Sequence, residues 1–193
     1  IESYLNTIDE DANRFVIERE YNILKMYSNS SMLNAAWKRY YKMIYKDSYY
    51  RLRKVAFDIY NELYPKVQEK HPQNTDFFFV QKLLNWVQDF KYVRNFQNSD
   101  FSPMPVVLAN GGSDCDSRAM LLAILLNQMN YKTMVFVSPE YKHSFFGVNI
   151  DGKGAKLYVA ETPYLLGETT TKVDLGLVPQ DMSDSTKWIP MLD

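Results

Sequence analysis

The stretch SDCDSRAMLLAILLNQMN, residues 113–130, sets Leu121, Leu122, Ile124, Leu125 and Leu126 on nearly every side of a helix. A helix without a polar face has to be enclosed from all directions, so the rest of the chain must supply its covering layers. With 193 residues, the chain is long enough for one domain, or one domain with an extension, that buries such a core.

The segments on either side read as those layers. Leu33, Ala36, Trp37, Tyr40 and Ile44 fall on one helical stripe, and Leu52, Val55, Ala56, Ile59 and Leu63 repeat its spacing. Pro65 is expected to end the second helix, because its ring clashes with the preceding turn. After HPQNTD, where Thr75 or Asp76 is the expected N-cap, Phe79, Leu83, Trp86, Val87 and Phe90 form a third stripe. Residues 95–112 carry prolines, glycines and polar turn formers and read as a loop with one short apolar turn. Beyond the central helix, KTMVFVS, HSFFGVNI and AKLYVAE read as three strands, the last two joined into a hairpin by DGKG. The tail from Pro163 predicts at most one more strand, near Val173. Helices, a buried helix and then an antiparallel sheet make an α+β fold, divided into a helical N-terminal extension (1–74) and a second unit (75–193).

Charge and composition narrow the function. With 22 Lys and Arg against 23 Asp and Glu, the net charge of −1 gives no basic field for nucleic acid. The locally basic stretch 31–70 fits a solvated helical face. One cysteine cannot form an internal disulfide, and two histidines, His71 and His143, do not make a structural zinc cluster. No metal and no organic cofactor is implied. No apolar run reaches the length of about 18 residues that a membrane span needs, so membrane insertion is not expected. DEDANRFVIERE (9–20) resembles a calcium loop at Asp9, Asp11, Asn13 and Glu20, but Arg14 stands where the sharp turn needs Gly. The opening IESYLNTIDE, without Met, suggests a trimmed or processed chain.

Chemistry concentrates around GGSDCDSR (111–118). Ser113 and Asp116 fit a capping pattern that starts the buried helix at Ser113 and places Cys115 in its first turn. Unpaired N–H groups there favour a thiolate, whereas Asp114 and Asp116 oppose one, so a cation is needed. His143, 28 residues on, can supply it and act as base. If HSFFGVNI and AKLYVAE pair with Ile150 opposite Gly154, Glu161 faces His143 and can orient it; a two-residue turn shifts the register and turns Glu161 away. Taken singly, each residue has a structural explanation: a packed thiol, a satisfied strand histidine, a solvated glutamate. His71 reads as a surface loop residue.

The segment from WVQDFKYV through PMPVVLANGGSDCDSRAMLLAILLNQMNY, with KHSFFGVNI and LYVAETP, resembles the bacterial transglutaminase-like superfamily across residues 78–163. That resemblance implies a papain-like core with Cys115 as nucleophile, His143 as general base and acid, and Glu161 orienting His143. Departures from the family pattern are Ser113 in place of Gly, Ser117 in place of an acidic residue, and Asn130 in place of the Gly before Tyr131; the aromatic two residues after His is kept as Phe145. Gln88, Gln97 and Asp114 are the further substrate-binding or oxyanion candidates, beside the backbone N–H of Cys115. The reading implied is cysteine-dependent acyl transfer on a peptide or protein substrate, by hydrolysis or transamidation, and the family's frequent export suggests an extracytoplasmic location. Two rival expectations stand beside it: a catalytically silent peptide- or protein-binding scaffold of the same fold, and a redox-sensing thiol.

Overall fold

The computed structural model describes residues 7–94, 99 and 101–193. Among the described residues, the helices are α1 (Thr7–Met26), α2 (Leu33–Arg51), α3 (Arg53–Lys70), α4 (Thr75–Gln88), α5 (Met104–Asn110) and α6 (Cys115–Gln128). The strands are β1 (Thr133–Ser138), β2 (His143–Val148), β3 (Lys156–Val159), β4 (Thr162–Gly167) and the short β5 (Ile189–Pro190). They form one antiparallel sheet in the order β3-β4-β2-β1-β5. The fold is α+β.

Helix α6 is enclosed as its composition demands. Residues Ala119 to Leu126 are all fully buried, between the sheet on one side and α2–α5 on the others. Each of its large apolar side chains contributes roughly 1.5–3 kcal/mol through burial. Thr133 at the start of β1 donates its hydroxyl to the Ala123 carbonyl at 2.9 Å, tying sheet to helix. One apolar cluster runs through Ile17, Tyr40, Ile44, Val55, Phe79, Leu84, Leu122 and Phe146, so residues on both sides of position 74 share a core. A second, smaller cluster on the far face of the sheet gathers Phe136, Phe145, Tyr164, Leu166 and Trp188.

Several expectations are corrected. Helix α3 continues through Pro65 to Lys70; Pro65 and Asn61, whose carbonyl loses its helical donor, both lie on the exposed face, where water can replace the lost bond. The N-cap of α4 is Asn74, while Thr75 turns its hydroxyl back onto the His71 carbonyl at 3.0 Å. His71 stacks on Phe78 with ring centroids 3.8 Å apart. The DGKG segment does not close a hairpin, because β2 and β3 are not neighbours: β4 lies between them. The apolar run at 162–167 is that strand, and Val173 lies in no strand. Residues 9–20 belong to α1, where Asp9 pairs with Arg51 and Glu20 with Arg19 and Arg39. Asn130 adopts φ 68°, the left-handed conformation that a helix end needs. No described helix is long and apolar enough to cross a membrane.

Candidate active site

Asp114, in extended conformation, caps α6 by accepting the Ser117 N–H on Oδ1 at 2.9 Å. The helix thus begins later than the Ser113 pattern predicts. Ser113 is held outside it by backbone bonds to the segment after α4: its N–H donates to the Lys91 carbonyl at 3.2 Å and its carbonyl accepts from the Val93 N–H at 3.1 Å. Cys115 becomes the first helical residue, 5% exposed. Asp114 is therefore a capping residue, and the N–H of Cys115 lies among the first-turn amides that find no acceptor within the helix.

The sulfur lies against Ser144, the second residue of β2. Burial and the Asp116 carboxylate push the thiol pKa up, Ser144 pulls it down through its hydroxyl and backbone, and Asp114 raises it again; the result is a rise from 9.0 to about 12. The Ser144 hydroxyl and backbone lie close enough to the sulfur to favour the thiolate, although among the described residues the hydroxyl makes no hydrogen bond of ordinary geometry. Cys115 is consequently a neutral thiol near pH 7. Among the described residues no hydrogen bond joins it to His143, whose imidazole bonds elsewhere.

That bond runs to Glu168. His143 Nε2 lies 2.7 Å from Glu168 Oε2, with the two side chains 14% and 2% exposed. Burial alone would raise the Glu168 carboxyl, but the bond and charge of His143, with the Thr170 N–H (2.6 Å) and hydroxyl (2.7 Å) donating to Oε1, hold it below its ordinary 4.5. An ionised Glu168 is an acceptor, so Nε2 carries the proton and the Nδ1 lone pair is left as the basic site. Phe145 meets the imidazole edge to face at 5.2 Å and is itself stacked by Trp188 at 4.2 Å, which limits the rotation of the ring.

No known family, curated protein or solved structure matches the chain.

Glu161, expected to orient His143, is displaced from that role. With Ala160 it forms the two-residue turn between β3 and β4, and it is exposed. The pairing that would have brought it to His143 is occupied by β4, whose following residue, Glu168, arrives there instead. Gln88 is buried, but its amide donates to the Glu168 carbonyl at 2.8 Å and the Val173 carbonyl at 2.9 Å. It anchors the loop that presents Glu168 and is committed there as a donor. Gln97 lies outside the described residues.

Arg118, missed from sequence, joins the parts. One turn after Cys115 and 1% exposed, it donates to the Thr169 carbonyl at 3.0 Å and the Phe90 carbonyl at 2.7 Å, and its guanidinium lies 5.5 Å from the Tyr92 ring centroid. Burial pulls its pKa down, and Tyr92, Asp114, Cys115 and Glu168 act in the opposite direction. Arg118 thereby locks the end of α4, the start of α6 and the loop after β4 into one unit. The signal was available: a single arginine inside an apolar helix has to be paired where it is buried. Among the described residues, no group of three or more His, Cys, Asp or Glu is placed to hold a metal ion.

Proposed function

We propose that the protein is a cysteine-dependent acyl-transfer enzyme acting on peptide or amide bonds, built on a papain-like, transglutaminase-type core. The observation that carries this reading is the buried bond between His143 and Glu168, which fixes the imidazole tautomer beside the strand residue that touches a cysteine at a helix start. Cys115 Sγ attacks the substrate carbonyl as its proton passes to His143 Nδ1. Because the resting thiol is neutral, the proton moves with the attack, which is general-base catalysis; such transfers contribute typically about 10²–10⁴-fold. The oxyanion formed lies near the Cys115 N–H and the positive end of α6. His143 then protonates the leaving amine, the C–N bond breaks and a thioester remains. Water or a second amine, deprotonated by His143, attacks the thioester and releases the thiol.

Incubation with a mixed peptide library and a labelled primary amine, read by mass spectrometry, tests this. Cleavage or amine incorporation that is lost in Cys115→Ala and His143→Ala is the expected result. Failure to process any peptide overturns it. The second reading, a binding scaffold, is favoured by one observation: Cys115 is almost fully covered and its thiol is pushed up to about 12. In that case peptides bind unchanged, and His143→Ala leaves their affinity intact.

A further inference from the structure

A cavity of about 250 Å³ opens between the helices α1–α2 and the ends of β1 and β2. Tyr21 from α1, Trp37 and Tyr41 from α2, and Phe101 line one side; Asp116 and His143 line the other. The rings meet at steep angles, Trp37 to Tyr41 at 6.4 Å and 72°, Tyr41 to Phe101 at 4.9 Å and 77°. The cavity is coupled to the catalytic helix, since the Tyr41 hydroxyl donates to Asp116 Oδ1 at 2.8 Å. Asp116 follows Cys115 in the chain, and His143 precedes the serine that touches the sulfur, so the residues of the chemistry flank its inner wall.

We propose that this cavity is the specificity pocket of the site and that it takes one aromatic side chain of a peptide acyl donor. The inference rests on the acyl-transfer reading above and names its substrate class. Sites that hold whole small molecules measure roughly 300–1,000 Å³, so this cavity admits a single ring with little else. Walls made of ring faces and edges favour a further aromatic, which prefers offset or edge-on neighbours. Asp116, which accepts from Tyr41, shares the lining with the cationic Arg94 and Lys142, so charges of both signs face the cavity and the rings are left to set the preference. Tyr21, Leu24, Trp37, Tyr40 and Tyr41 of the lining precede position 75, which gives the N-terminal helices a part in substrate choice.

The test compares alkylation of Cys115 by the chloromethyl ketones of acetyl-phenylalanine and acetyl-glycine, with iodoacetamide as a reagent lacking a side chain, all read by intact mass. The phenylalanine reagent should react about tenfold or more faster than the glycine reagent, the size of effect a filled pocket gives. Trp37→Ala should bring the two rates together while leaving the iodoacetamide rate unchanged. Equal rates in the native protein overturn the pocket and leave the acyl-transfer reading standing. A second arm does not depend on a reactive thiol: saturation-transfer NMR of N-acetylphenylalaninamide with Cys115→Ala protein. Ring contact that disappears in Cys115→Ala/Trp37→Ala supports the pocket even if no ketone modifies the native thiol. Absence of contact overturns it.

Discussion

His143 and Glu168 are joined at 2.7 Å although 25 residues separate them in the chain, because β4 enters the sheet between β2 and β3 and delivers its trailing residue to the head of β2. The pair reads out in the pH dependence of stability. The Glu168 carboxyl is held below 4.5 when folded, so its stabilisation is complete above that value and is lost as pH falls through the lower folded pKa. Glu168→Gln should lower the melting temperature at pH 7 by on the order of 5 °C, from a loss of about 1–3 kcal/mol. The difference should shrink below about pH 4.5; a difference that stays constant to about pH 3 would refute the assignment.

The Cys115 thiol offers a second measurement. With its pKa at about 12, roughly one thiol in a thousand is ionised at pH 9, whereas most of a free cysteine population is. Iodoacetamide should therefore label native Cys115 at least about 100-fold more slowly than the denatured chain at pH 9. Asp116→Asn, which removes a carboxylate that raises the pKa, should speed native labelling. Equal rates in native and denatured protein contradict the covered thiol.

Gln88 should be felt in the loop after β4. Gln88→Leu removes the two donations to Glu168 and Val173. Hydrogen exchange at the Thr170 amide, bonded to Glu168 Oε1, should accelerate by roughly 10–100-fold. The Leu175 amide, held by Gln81 Oε1 at 2.7 Å, provides the control and should keep its protection. Unchanged exchange at Thr170 removes the anchoring role from Gln88.

Two glycines should respond very unequally to substitution. Gly154 lies at φ +125°, and a Cβ there would run into the backbone of Gly176, so Gly154→Ala should cost at least about 1–3 kcal/mol. At Gly112 a Cβ would meet only Val93, at 3.7 Å, so Gly112→Ala should stay within about 0.5 kcal/mol. Urea midpoints compare the two directly.

Much of this molecule can be read along the chain. The all-apolar 119–126 segment announces a central helix, and the spacing of Ala36, Tyr40 and Ile44, or of Phe79, Leu83 and Val87, marks the faces that are indeed buried. Cys115 at the helix start and His143 at the head of a strand follow from local pattern. The carboxylate does not, because it depends on strand order, which is a property of non-local pairing. The turn that decides it is formed by Ala160, at φ 50°, and Glu161, where Asn or Gly would have marked a tight hairpin. Pro163, a residue that argues against an interior strand, sits within β4; its carbonyl accepts from Asn149 Nδ2 at 2.8 Å. With the turn unmarked and the strand disguised, Glu168 looked like part of a polar tail.

The shared core also has a consequence for how the chain is made. Helices α1–α3 leave the ribosome before α4 and α6, and although α1 packs on α2, the inner face of Tyr40, Tyr41, Ile44, Val55 and Ala56 stays incompletely covered until α4 and α6 follow. At roughly 5–20 residues per second, synthesis from Lys70 to Gln128 lasts several seconds, during which an aromatic half-core stands open to chaperones and to other nascent chains. Slower codons across that interval should reduce soluble yield without altering a single residue.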